Sequence, residues 1–225
     1  MALPATDAVN HRAGSPRSGP GRVRRGDEGP AGAEVSASTI DGEMAMRLSR
    51  IGYFADFVVY PMLLAALSWG TLRRALPLQR EDWVLAFGAG LCCWTLLEYA
   101  LHRYVLHHAP PFRSMHAKHH ASPAALIGTP SWLSVSLIGG LVFVPLLREL
   151  QVDVASGATA GVMLGYLWYV GVHHAAHHRR ARPGTYLHRA KQRHALHHHS
   201  RRACNFGVTT ALWDIVFGSA RSPAR

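Results

Sequence analysis

Beyond residue 45 the chain alternates between long apolar runs and short polar connections. The first run, "IGYFADFVVYPMLLAALSWG" (51–70), is interrupted by Asp56 and Pro61. The second starts at Trp83 and continues through "VLAFGAGLCCWTLLEYALHRYVL" to Leu106. The third is "SWLSVSLIGGLVFVPLL" (131–147) and the fourth is "GATAGVMLGYLWYVGV" (157–172). About 20 apolar residues cross a bilayer as a helix, so the third run is slightly short and the fourth shorter still, a mismatch that tilt or local thinning can absorb. Four such runs in little more than half of a chain leave few positions for the polar outer face of a soluble bundle. The pattern therefore predicts an all-α integral membrane fold with about four transmembrane helices near 51–70, 83–106, 131–147 and 157–172.

Residues 1–45 have no such pattern. They are rich in Gly, Pro, Ser and Arg, cannot bury enough apolar surface to offset conformational entropy, and are expected to be a disordered tail. The segment lacks the apolar core of a signal peptide, and its six acidic residues argue against a transit peptide. The expected organisation is a 1–45 tail and a 46–220 membrane-embedded domain, with 173–220 forming the C-terminal part of a helical, His-rich cap.

Charge sets the topology. The chain has 225 residues, 48% of them hydrophobic, yet its net charge is +11. Residues 179–202 hold eight Lys or Arg and no acid. Because this basic stretch directly follows an apolar run, it reads as a headgroup-facing flank and not as a nucleic-acid surface. The two His-bearing segments follow the second and fourth runs, so two spans separate them and both emerge on one face. The basic flanks assign that face to the cytoplasm, against the three arginines Arg73, Arg74 and Arg80 on the other side. Three cysteines, two of them adjacent (Cys92, Cys93) and one alone (Cys204), fit neither a disulfide framework nor a paired-cysteine metal site.

Fifteen of the sixteen histidines lie between His102 and His199; His188 stands alone, and the other fourteen form four groups. These are His102-x4-His107-His108, His116-x2-His119-His120, His173-His174-x2-His177-His178, and His194-x2-His197-His198-His199. On a helix, His116, His119 and His120 stand at about 0°, 300° and 40°, and His194, His197 and His198 repeat those angles, while His199 points elsewhere. Each HxxHH element is thus expected to turn three imidazoles toward a common point. In the third group the pairs His173/His177 and His174/His178 are equally spaced, and periodicity does not choose between them. His102 and His107 are five apart and diverge on an ideal helix, so they share a site only if the helix ends or bulges between them. Glu98 one turn earlier adds a carboxyl at membrane depth, where ionisable groups are costly and usually functional. Ten well-placed imidazoles exceed one tetrahedral ion and suit two metals with about five ligands each; the donor set alone accepts zinc, copper, iron or nickel.

The four motifs HX4H, HX2HH, HX3H and HX2HH, in this order across membrane spans, resemble the fatty acid hydroxylase/sterol desaturase superfamily. The resemblance covers roughly residues 83 to 218 and is most detailed at "EYALHRYVLHH", "MHAKHHASP", "PGTYLHRAKQRHALHHH" and "NFGVTTALWDIVFG", the last being similar to fatty acid 2-hydroxylases. It implies two irons, with zinc as a substitute, and O2 as co-substrate. The implied ligands are His102, His107, His116, His119, His120, His173, His177, His194, His197 and His198. His108, His174 and His188 are left as neighbours. The resemblance also implies Tyr-Asp before HX3H, whereas here Tyr169 is followed by Val170. A fused haem domain found in some relatives has no counterpart in the tail, so electrons are expected from a separate donor such as cytochrome b5 or a ferredoxin with its reductase.

The function these features predict is O2-dependent hydroxylation of a membrane lipid acyl chain, of fatty acid or sphingolipid type, next to its carboxyl carbon. Sterol C-4 oxidation, sterol desaturation and carotenoid ring hydroxylation are alternatives at the same site, and a non-enzymatic metal binder or transporter is one of another class. Glu98 and Asp214 are candidate acceptors for ligand N–H groups, and Tyr169 is a candidate neighbour of the substrate. The expected location is a bacterial inner membrane or the endoplasmic reticulum.

Overall fold

The computed structural model describes residues 47–74 and 76–222, and the 1–45 tail lies outside them. A short helix α1 (Arg50–Phe54), capped by Ser49 Oγ accepting from the Gly52 N–H at 3.1 Å, leads into α2 (Asp56–Arg74). Helix α3 (Pro77–Ala100) starts with proline at its first turn, where no donor is lost, and continues into a π-helical turn, Leu101–Leu106. Helix α4 (Phe112–Ala121) follows the Pro110–Pro111 break. Helices α5 (Ser131–Ile138) and α6 (Val144–Glu149) are joined by a second π-helical turn at Gly139–Phe143. The long α7 (Val152–His178), α8 (Tyr186–His199) and the short α9 (Leu212–Val216) complete the fold.

Three helices among the described residues are long and apolar enough to cross a membrane: Arg50–Thr71, Pro77–Leu106 and Ser131–Glu149. Their outward side chains, Ile51, Met62, Leu85, Trp132 and Leu141 among them, are largely exposed, as lipid-facing residues are. The all-α architecture expected from the apolar pattern is present, with three of the about four expected spans long and apolar enough to cross among the described residues.

The fourth run differs from its sequence reading. It is the middle of a 27-residue helix, about 40 Å long, not a helix too short to span. The run is short because the helix continues past it at both ends through polar residues, while α7 itself sits at the centre of the bundle and packs through small residues. Gly157, Gly161 and Gly165 recur every fourth position. A Cβ on Gly161 would overlap the Phe87 carbonyl, and one on Gly165 would overlap the Trp94 ring. From the other side, a Cβ on Gly90 would overlap the Ala158 carbonyl. Close backbone approach, not side-chain bulk, holds α3 against α7.

Around this seam Tyr60, Trp94, Ile138, Val162, Met163 and Tyr166 form the main core cluster. The packing brings the C-terminal end of α3, all of α4, the C-terminal end of α7 and α8 to one end of the bundle, where every histidine of the four motifs lies.

Candidate metal centre

The histidines form two groups. In the first, ring nitrogens of His102, His107, His116, His120 and His197 all lie within 4.8 Å of one another; in the second, those of His119, His173, His177, His194 and His198 do the same. The condition set by the first motif is met, because the turn between His102 and His107 is π-helical. An i→i+5 turn brings residues five apart onto one side, and such turns favour functional sites.

Each HxxHH element divides its imidazoles, which corrects the expectation of three converging on one point. Helix α4 sends His116 and His120 to the first group and His119 to the second; α8 sends His194 and His198 to the second and His197 to the first. The i and i+4 positions stay together and the i+3 position diverges by about 60° to 100°, which two neighbouring centres can use and one cannot. The stacked rings of His120 and His198, 4.1 Å apart, mark the seam between the groups.

The nitrogen geometry suits metal ions. Nε2 atoms within the groups approach to between 2.8 and 3.2 Å. Two imidazoles bound at about 2.1 Å and at right angles to one ion would stand about 3.0 Å apart, against about 3.4 Å for tetrahedral ligands. Hydrogen bonding cannot account for these approaches. His116 Nε2 meets the Nε2 atoms of His102, His107 and His120 at 3.0, 3.2 and 3.0 Å, yet a neutral imidazole carries a single N–H. His102 and His197 have already committed theirs: Nδ1–H of His102 donates to the Phe206 carbonyl at 2.6 Å, and Nδ1–H of His197 to the Cys204 carbonyl at 2.7 Å. Their Nε2 atoms therefore present bare lone pairs inward.

Burial, followed by the neighbouring imidazoles, keeps these rings neutral. It lowers His107 to about 4, His119 to about 3 and His198 to about 2, and it pushes His116, His120 and His194 down as well. His197 falls to about 3, burial outweighing its bond to the Cys204 carbonyl, which acts in the opposite sense. At neutral pH all of them offer unprotonated donors, as metal ligation requires.

The structure gives Glu98 and Asp214 a role different from the expected one, since neither accepts from a histidine N–H. Glu98 Oε1 accepts the Val208 and Thr209 N–H groups at 2.7 and 2.8 Å, and Oε2 accepts the Thr209 hydroxyl. Asp214 accepts the Phe206 and Gly207 N–H groups at 2.8 Å each, and the Ser219 hydroxyl. Together they hold the 204–209 segment, whose carbonyls orient His102 and His197. Asn205 has a φ of 52°, in the left-handed region that Asn tolerates, and its side chain pairs with the backbone of Arg221. The "NFG" stretch contained this support, but nothing in its composition announced which carbonyls would face the histidines.

The remaining candidates stand outside both groups. His108 is exposed and bonds the Arg103 carbonyl through Nδ1 at 2.8 Å. His174 lies 3.3 Å from the Tyr53 hydroxyl and stacks on His178. His188 lies in the first turn of α8, where its backbone N–H is capped by Thr185, and His199 is exposed at the end of that helix. Tyr169 stacks almost parallel on His173, with centroids 5.7 Å apart.

A cavity of about 90 Å³ lies beside the histidines, lined by His116, His119, His173, Tyr169, Tyr166 and Asp56, among others. Val170, where the resemblance expects Asp, also lines it. Asp56 and Tyr166 were not among the residues read from the sequence as part of the site; an acid inside an apolar run was the one available signal.

The chain matches the profile of the fatty acid hydroxylase family over residues 87–219, more than half its length. It is 35% identical to a fatty acid 2-hydroxylase of Rattus norvegicus over 58% of this chain and 38% of that one. It is 32% identical to a dihydroceramide fatty acyl 2-hydroxylase of Arabidopsis thaliana over 60% of each. The chain spans about half, or less, of the length of the mammalian relatives it matches. Among solved structures, the hydroxylase domain of full-length scs7p shares the fold, with a TM-score of 0.67 and 24% identity over 77% of this chain and 68% of that one.

Proposed function

The chain belongs to the fatty acid hydroxylase family, and from that premise we propose that its histidine-rich end holds two irons and hydroxylates a membrane lipid acyl chain at the carbon next to the carbonyl. The convergence of ten ring nitrogens into two groups of five supports this reading above all. The proposed ligands are His102, His107, His116, His120 and His197 for one ion, and His119, His173, His177, His194 and His198 for the other. Zinc would be accepted as an inert substitute.

The reaction joins R–H, O2, two electrons and two protons to give R–OH and water. The irons would supply the redox chemistry that an unactivated C–H bond demands and that no side chain provides. The chain's own residues do the rest. Phe206 and Cys204 carbonyls hold two imidazoles in one tautomer, and Glu98 and Asp214 hold those carbonyls. The aromatic wall at Tyr169 and Tyr166 shapes a small cavity that excludes bulk water from the reacting carbon.

In this reading α7 is a fourth span and the histidine end faces the cytoplasm, beside the basic 179–202 stretch. An acyl chain then enters from the bilayer, and a separate one-electron donor such as cytochrome b5 or a ferredoxin serves the opposite, water-facing side. The names of the relatives point to fatty acids and ceramides as substrates.

Expression in a host without hydroxylated lipids, followed by lipid mass spectrometry, tests the proposal. It is supported by acyl chains heavier by one oxygen, with the hydroxyl on the carbon next to the carbonyl and two irons per chain. An unchanged lipid profile with an added electron donor and iron-loaded protein refutes it.

A further inference from the structure

Asp56 is the residue that the dimetal reading leaves unexplained. It lies on α2, upstream of the family-matched segment, inside a membrane-crossing helix, and is only 4% exposed. One carboxylate oxygen, Oδ2, accepts the Tyr166 hydroxyl proton at 2.9 Å; the other, Oδ1, is buried and has no hydrogen-bond partner. Both residues line the cavity that His116, His119 and His173 wall on its other side. A buried acceptor left unpaired in a span is unfavourable, and such groups are retained where a ligand satisfies them.

The chemistry of the free positions selects that ligand. Tyr166 has donated its only proton, so what the pair still offers is acceptor capacity on Asp56 Oδ1 and the Tyr166 oxygen. That pair therefore matches a group that donates. If the reacting carbon is the one beside an acyl carbonyl, the next atom beyond that carbonyl decides the fit. An amide presents an N–H. An oxoester, a thioester and a free carboxylate present no donor.

We propose that Asp56, oriented by Tyr166, is the headgroup-reading residue of this cavity: it accepts the N–H of a lipid amide and thereby places the methylene on the other side of the carbonyl against the histidine wall. The assignment rests on the hydroxylase reading for the position of the reacting carbon. It makes Asp56 a positioning residue, one that selects among acyl lipids by a single donor and fixes which carbon is presented. A site built around a hydrogen bond rejects analogues that lack the partner far more strongly than an apolar pocket rejects a missing methylene.

The test uses the full metal-loaded chain in phosphatidylcholine vesicles, first without O2 so that binding is read without turnover. The probes are N-palmitoyl aminoethanol, its isosteric oxoester and palmitic acid. The wild type is expected to bind the amide at least about tenfold more tightly than either analogue. Asp56→Ala should reduce that ratio to about two or less, and Tyr166→Phe to an intermediate value, with metal content unchanged. O2 and an electron donor are then added, and the hydroxyl position is mapped by mass spectrometry; Asp56→Ala should scatter it to neighbouring carbons.

Equal binding of amide and oxoester by the wild type overturns the proposal, and so does a selectivity ratio that survives in Asp56→Ala. The wild-type comparison decides the matter even if a variant fails to fold. Selective amide binding without hydroxylation of any lipid would sink the hydroxylase reading and leave the headgroup assignment standing. Hydroxylation without amide selectivity would do the reverse.

Discussion

Asp214 bonds no histidine, yet its removal should weaken metal binding in the first histidine group and spare the second. The carboxylate is fully buried and takes the Phe206 and Gly207 N–H groups at 2.8 Å each. In Asp214→Ala both N–H groups stay buried without an acceptor, at about 1–3 kcal/mol apiece, so the 204–209 segment loses about 2–6 kcal/mol of local support. The Phe206 and Cys204 carbonyls that orient His102 and His197 belong to this segment, and both histidines belong to the first group. In the second group the Nδ1 atoms of His119, His194 and His198 have no hydrogen-bond partner to lose. Loss of such an orienting contact typically weakens metal affinity by about 10- to 100-fold. Titration of purified protein with a chelator, followed by elemental analysis, should show two ions leaving together from the wild type. The variant should lose one at roughly tenfold or more lower chelator concentration. Asp214→Asn, which keeps one acceptor, should fall between. Simultaneous loss of both ions in Asp214→Ala, or no shift in either, would refute the idea that the carboxylate acts through the backbone on one group only.

Three further outcomes follow from the geometry. His119→Ala and His120→Ala alter adjacent residues, but elemental analysis combined with a metal-sensitive spectrum should show each depleting a different ion, because α4 sends the two rings to different groups. Gly161→Ala should lower thermal stability by about 1–3 kcal/mol, read as melting in detergent, since the added Cβ meets the Phe87 carbonyl at the α3–α7 seam. The metal-stripped protein should lose stability as pH falls below about 6.5, the value the histidines take when unfolded. The folded rings resist protonation down to about 4 for His107 and about 3 for His119 and His197, so the unfolded chain binds protons first across that window. Stability should be flat above pH 7, and a chemical denaturation series at stepped pH checks the sign.

Much of the centre is legible in the amino-acid sequence. The HxxHH spacings place their imidazoles on one side of a helix whatever surrounds them, because helical periodicity is local. The mismatch of His102 and His107 on an ideal helix required that the helix end or bulge between them, and the π-helical turn at Leu101–Leu106 is a bulge. The apolar runs announced a membrane protein through composition alone. The fourth apolar run, 157–172, did not disclose a 27-residue central helix, because that helix continues through polar residues, Asp153 and Ser156 before the run and four histidines after it.

The amino-acid sequence by itself determined which imidazoles share a helix face, and with that the capacity for a histidine-rich metal centre at a membrane surface. Only the tertiary structure decided how those faces were shared. The division of each HxxHH between two groups, the backbone bonds from Glu98 and Asp214, and the arrival of Asp56 opposite His116 and His173 all depend on residues roughly 7 to 120 positions apart meeting in space. Such meetings depend on how helices pack, and the α3–α7 seam that sets this packing is made of glycines, whose contribution is the side chain they lack.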